Sequence, residues 1–167
     1  MCLYNTTKKT KKFVVLYFFY LATLFITLYL PTNPISILLN QLQTDLTLYG
    51  IEPFLKPNQL IDVDIWINPH YKIIITQACN GMIPILFLYA SILAYPTKLK
   101  YKLIWIIIGY IFYVITNILR LIIVTKVTEI YGSNSFYLIH DIIGNALLMI
   151  VGLSIFILFI KTSQTTT

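Results

Sequence analysis

The sequence predicts a mainly α-helical, polytopic membrane protein, a bundle of about four transmembrane helices with an outer amphipathic helix and a small β-hairpin. Three observations carry that expectation. Of the 167 residues, 58% are hydrophobic and 11% charged, and the mean hydropathy is +0.80, where a soluble domain of this size would carry more surface charge. Four apolar segments approach the roughly 20 residues, in a range of about 17–25, that cross a bilayer. The lysines stand in short clusters beside those segments, the pattern that orients membrane proteins. The net charge of +6 therefore points to membrane orientation and not to a nucleic-acid partner.

The expected spans are 13–30, 79–95, 103–124 and 142–160. The first, "FVVLYFFYLATLFITLYL", is long for a signal-peptide core, and the "LPTNPIS" after it lacks a small-residue cleavage site, so it reads as an uncleaved anchor. The second is adequate if its helix begins near Cys79. Lys8, Lys9, Lys11 and Lys12 precede the first span; Lys98, Lys100 and Lys102 join the second to the third; Lys161 follows the fourth. With four spans these positions share one side, and the positive-inside rule makes it the cytoplasm. The segments 31–78 and 125–141 are then outside, and they hold all six acidic residues, Asp45, Glu52, Asp62, Asp64, Glu129 and Asp141. One membrane domain, 1–167, is expected in a cell membrane, with both termini cytoplasmic. Only the tail "KTSQTTT" looks frayed. Tyr29, Tyr95, Trp105 and Tyr137 suit an interfacial aromatic belt.

The outer segment 31–78 has two parts. In "NPISILLNQLQTDLTLYG", Ile35, Leu38, Leu39, Leu42 and Leu46 recur at helical spacing, and Gly50 is a possible stop. This reads as an amphipathic helix on the outer membrane surface, or as a packing helix over the bundle. Farther on, Ile61, Val63, Ile65 and Ile67 alternate with Asp62, Asp64, Trp66 and Asn68, a period-two strand. "NPHY" turns it back into "YKIIITQ", so a hairpin delivers Cys79 to the next helix, where Asn80 or Gly81 can cap. His70 at the turn is expected to be solvated.

The chain has eleven lysines and a single arginine, Arg120, inside the apolar run "TNILRLIIV". It lies 17 residues beyond Leu103, or about 25 Å at about 1.5 Å per residue, near the outer end of its span. Cys79 enters the second span at that level and His140 the fourth. Each has a bland reading: arginine snorkels, a lone cysteine is a small core residue, a lone histidine caps or solvates. Together at one depth, brought by three helices, they form a candidate constellation. A thiol at a helix N-terminus favours its thiolate, and a nearby guanidinium favours it more. Asn117, three residues before Arg120, shares its helix face and could hold the guanidinium or donate to a substrate carbonyl. Asp141 adjoins His140 but should point elsewhere on an α-helix, a poor candidate to orient the imidazole. Asn145, four residues after Asp141, could bond it. Two histidines and two cysteines without ligand spacing give no metal site and no cofactor, and Cys2 is too far from Cys79 to pair.

The ordered set "ACNGM", "NILRL" and "HDIIGN", spread over residues 75–160, resembles the exosortase/archaeosortase family. That resemblance implies a membrane-embedded cysteine transpeptidase or protease acting on proteins that end in a short motif, a transmembrane helix and a basic tail. It implies Cys79, Arg120 and His140 as the catalytic set, an acyl-thioester on Cys79, and an active site on the extracytoplasmic face. Many members have about eight spans, so this chain looks like a minimal version. A non-catalytic scaffold in which Arg120 pairs with an acid such as Asp141, or a small anion or proton carrier, remain alternatives.

Overall fold

In a computed structural model, which describes residues 2–164, the chain is a mainly α membrane bundle with one small sheet. Helix α1 spans Cys2–Leu24 and continues as a π-helical turn, Phe25–Tyr29. After it come α2 (Pro34–Ile51), strands β1 (Leu60–Ile61), β2 (Asp64–Asn68) and β3 (Tyr71–Ile74), then α3 (Met82–Ala94) and α4 (Leu99–Tyr131). A π-helical segment, Tyr137–Gly144, runs into α5 (Asn145–Gln164). Among the described residues three stretches are long and apolar enough to cross a membrane, Lys8–Tyr29, Leu99–Tyr131 and Ser133–Ser163. The side chain of Cys2 and residues 165–167 of the expected frayed tail lie outside the described residues; Lys161–Gln164 are helical.

The second expected span is corrected. Its helix begins at Met82, not Cys79, and has 13 residues, about 20 Å against a hydrocarbon core of about 30 Å. The cause is local. Gly81 has φ +79°, a left-handed conformation that other L-residues adopt at a cost, and Asn80 Oδ1 accepts the N–H of Met82 at 2.9 Å. Helix cannot extend back through that turn. The third span runs past residue 124 to Tyr131, and most of the outer segment 125–141 is helical, leaving a short connection around Gly132.

Helix α3 lies at the centre, against α1, α4 and α5. Ile85, Leu88 and Ile92 of α3 pack with Tyr113 of α4 and Leu148, Ile155 and Phe159 of α5. A second core, of Ile51, Ile65, Ile73, Ile75, Cys79, Leu121 and Val124, ties α2 and the sheet to α4.

Helix α2 starts with Pro34 in its first turn and Asn33 Oδ1 accepting from Ser36 N–H at 2.9 Å. It does lie over the bundle, but with its polar face inward. Ser36, Asn40, Gln43 and Thr47 are buried, while Ile35, Leu38, Leu42 and Leu46 are exposed.

The single strand expected over 61–68 is two. Asp62 takes φ +54° and breaks it, as an aspartate can, so that β1 folds back on β2. The sheet is antiparallel in the order β1-β2-β3, with a bulge between Trp66 and Asn68. The turn into β3 falls where "NPHY" put it, with His70 exposed.

Candidate active site

Three elements meet where the two cores adjoin. Cys79 sits in the turn between the sheet and α3. Its N–H donates to Thr76 O at 2.8 Å, and its Sγ lies 3.7 Å from Thr76 Oγ1. Arg120 comes from α4. His140 and Asp141 come from the π-helical segment before α5. All three of Cys79, Arg120 and His140 are buried, at 6%, 2% and 6% exposure.

Arg120 organises the group. One terminal nitrogen, Nη1, donates to Asn117 Oδ1 at 3.1 Å. The other, Nη2, faces three acceptors: His140 Nε2 at 3.0 Å, His140 O at 3.2 Å and Asn145 Oδ1 at 3.0 Å. Its Nε is buried without a partner. Asn117 also donates to the carbonyl of Cys79 at 3.0 Å, so one amide ties the guanidinium to the cysteine's backbone. The thiol lies within electrostatic reach of the imidazole of His140 and of the charge of Arg120.

An arginine only donates, so Nε2 of His140 must be the acceptor in this arrangement. The ring proton then sits on Nδ1, which lies 2.7 Å from Asp141 Oδ1. The expectation that Asp141 points away from His140 is thus corrected. It assumed the turn angle of an α-helix; in the wider π-helical turn, with its i→i+5 bonding, adjacent residues diverge less. Asn145 likewise bonds Asp141 through its backbone carbonyl, at 2.9 Å, and spends its side-chain oxygen on Arg120.

Several contributors carried no signal of their own in the sequence. Phe136 stacks on His140, ring centres 4.8 Å apart and planes 11° from parallel. Gln43 of α2 donates to Asn80 O at 3.0 Å and accepts from Tyr110 at 2.7 Å, pinning the turn that holds Cys79. Gly144 leaves room for the guanidinium: a Cβ there would lie 2.5 Å from Arg120 Nε. This glycine, the residue immediately before α5, carries no signal in the sequence apart from the arginine's path.

A cleft of about 550 Å³ runs between α3 and α5. Arg120, His140, Asp141 and Asn145 line its polar end, where Ala78 and Gly81 flank Cys79. Pro84, Phe87, Leu148 and Phe156 line the apolar remainder. A cluster of polar side chains thus opens onto an apolar trough, while Cys79 itself is not among the residues that line the cleft. Among the described residues no cluster of His, Cys, Asp and Glu has the grouping to hold a metal ion.

No curated protein and no solved structure matches the chain. The family model described as transmembrane exosortase (Exosortase_EpsH) matches residues 4–159, which runs from the first turn of α1 through α2, the sheet, α3 and α4 into the latter part of α5. The chain belongs to the transmembrane exosortases, a family of membrane cysteine peptidases and transpeptidases with a general role in protein sorting.

Proposed function

We propose that this chain is a cysteine transpeptidase or protease that cleaves the C-terminal sorting signal of membrane-anchored proteins through an acyl-thioester on Cys79. The observation that supports this best is the chain of bonds from Asp141 through His140 to Arg120, closed onto Cys79 by Asn117.

In the reaction, Nε2 of His140 takes the thiol proton and the sulfur attacks the scissile carbonyl. A protonated imidazole no longer accepts from Nη2, so that nitrogen of Arg120 turns to the developing oxyanion. Collapse breaks the C–N bond, and His140 gives its proton to the leaving amine. The thioester is then resolved by water, giving proteolysis, or by an amine, giving transfer. Asp141 holds the ring with Nδ1–H toward itself and Nε2 toward the chemistry, and stabilises the imidazolium that forms.

The substrate is a protein ending in a short motif, an apolar helix and a basic tail. The lysine clusters support a site on the extracytoplasmic side of a cell membrane, with both termini in the cytoplasm. An α3 of about 20 Å is shorter than a hydrocarbon core of about 30 Å, which supports a Cys79 set below the outer lipid boundary, at a depth where the apolar trough would take the substrate's helix. Asp141 bonds His140 here, and no ion pair joins it to Arg120 among the described residues, which weighs against the scaffold reading.

The test is processing in cells of a protein from the same genome with such a tail. Cys79→Ala and Cys79→Ser should abolish cleavage while the protein inserts at normal abundance. Continued cleavage by Cys79→Ala would end the proposal.

A further inference from the structure

The sheet has an edge that this chemistry does not use. In the order β1-β2-β3, strand β3 is paired on one side only. Ile75 donates to Val63 O at 2.9 Å. Antiparallel pairing alternates, so Ile73 and Ile75 turn their backbone groups to β2, and Lys72 and Ile74 turn theirs away. No other backbone group of the described residues bonds them.

Native edges are commonly guarded by proline, by a bulge or by a projecting lysine. Here β3 contains no proline, and Lys72 is drawn onto Asp64 of β2, Nζ to Oδ2, at 2.5 Å. The exposure pattern then leads to the site. Lys72, Ile74, Thr76 and Ala78 are exposed, Ile74 at 49%, while Ile73, Ile75 and Cys79 are buried. The exposed line ends at Ala78, which lines the cleft beside Arg120 and His140.

We propose that the free edge of β3 is a strand-addition site for the extended segment of a protein substrate next to its scissile bond. The segment is held by main-chain hydrogen bonds to Lys72 and Ile74 and led along the exposed line to Cys79. Such pairing reads backbone rather than side chains. A peptide backbone matches the alternating N–H and C=O row; a lipid chain does not. The inference rests on Cys79 being the nucleophile.

The experiment uses the full chain in lipid nanodiscs and reads Cys79 alkylation rates by mass spectrometry. The probes are iodoacetamide and acetylated alanyl chloromethyl ketones of one and of four residues. Lengthening the peptide should raise the rate by about tenfold, the effect of one or two net hydrogen bonds. N-methylation should remove that gain at alternate positions only. Ile74→Pro deletes one outward N–H at a place where an edge strand accepts proline; it should remove the gain, and Ile74→Thr should keep it, with iodoacetamide labelling unchanged in both. A rate independent of peptide length, equal harm from N-methylation at every position, or a full gain in Ile74→Pro overturns the proposal. So does a dimer that Ile74→Pro converts to monomer, since the edge would then serve a second copy. Failure of iodoacetamide to label Cys79 overturns the nucleophile reading, and strand delivery with it.

Discussion

Arg120→Lys keeps the positive charge and removes the planar fork. In the native site two nitrogens on opposite arms of the guanidinium serve Asn117 at 3.1 Å and, on the other side, His140 and Asn145 at 3.0 Å each. An ammonium is a single point on a flexible stem and cannot reach both sides. Two charged hydrogen bonds at about 1.5–3 kcal/mol each are then at stake. Asn145 is exposed and recovers part of its share from water, which leaves about 3 kcal/mol. At about 1.4 kcal/mol per decade that is roughly a hundredfold in turnover, provided the loss falls on the reaction. The assay compares cleavage of the tailed substrate by the two proteins at matched abundance in the membrane, with thermal unfolding in detergent to apportion any loss of stability. A lysine variant within about threefold of the native rate, a difference of about 0.7 kcal/mol, would mean that charge alone suffices and that the fork geometry carries no chemistry.

Other outcomes follow from the same contacts. Asp141→Ala should lower turnover by about tenfold, since a charged hydrogen bond from a carboxylate that is 43% exposed is partly screened; Asp141→Asn, which still accepts from Nδ1, should lose less, and equal losses would argue against ring orientation. Gly144→Ala should displace the guanidinium and cut the cleavage rate, measured beside Arg120→Lys, with a combined variant scarcely worse than either single one. Asn80→Ala removes the side-chain acceptor before α3 and should cost about 1 kcal/mol, read as a fall in Tm. Because that turn also carries Cys79, alkylation by iodoacetamide should change in the same variant.

The bundle was legible because lipid imposes a coarse rule. A chain that crosses the bilayer must satisfy its backbone internally, so long apolar runs become helices, and three of the expected spans did. The ends were less legible, since they depend on single residues: Gly81 and Asn80 stop α3 short of Cys79, and nothing stops α4 until Gly132. The vicinity of Cys79, Arg120 and His140 could be anticipated from depth alone. Their bonds could not, because a π-helical turn sets the angle between His140 and Asp141, and periodicity arguments presume 3.6 residues per turn. Helix α2 shows the deeper reason. Its leucines mark one face and its Ser36, Asn40, Gln43 and Thr47 the other, and periodicity alone leaves open whether the apolar face meets lipid, as on a membrane-surface helix, or packs on the bundle. Where lipid replaces water the choice is made by the polar face, because an exposed leucine then costs nothing and an exposed glutamine does. The buried side of α2 must therefore hold polar partners for those amides, and it does: Gln43 and Asn40 bond the turn at Asn80. A polar face on a helix within an apolar protein thus marks the side where buried polar partners lie, and in this chain it faces the turn that carries the thiol.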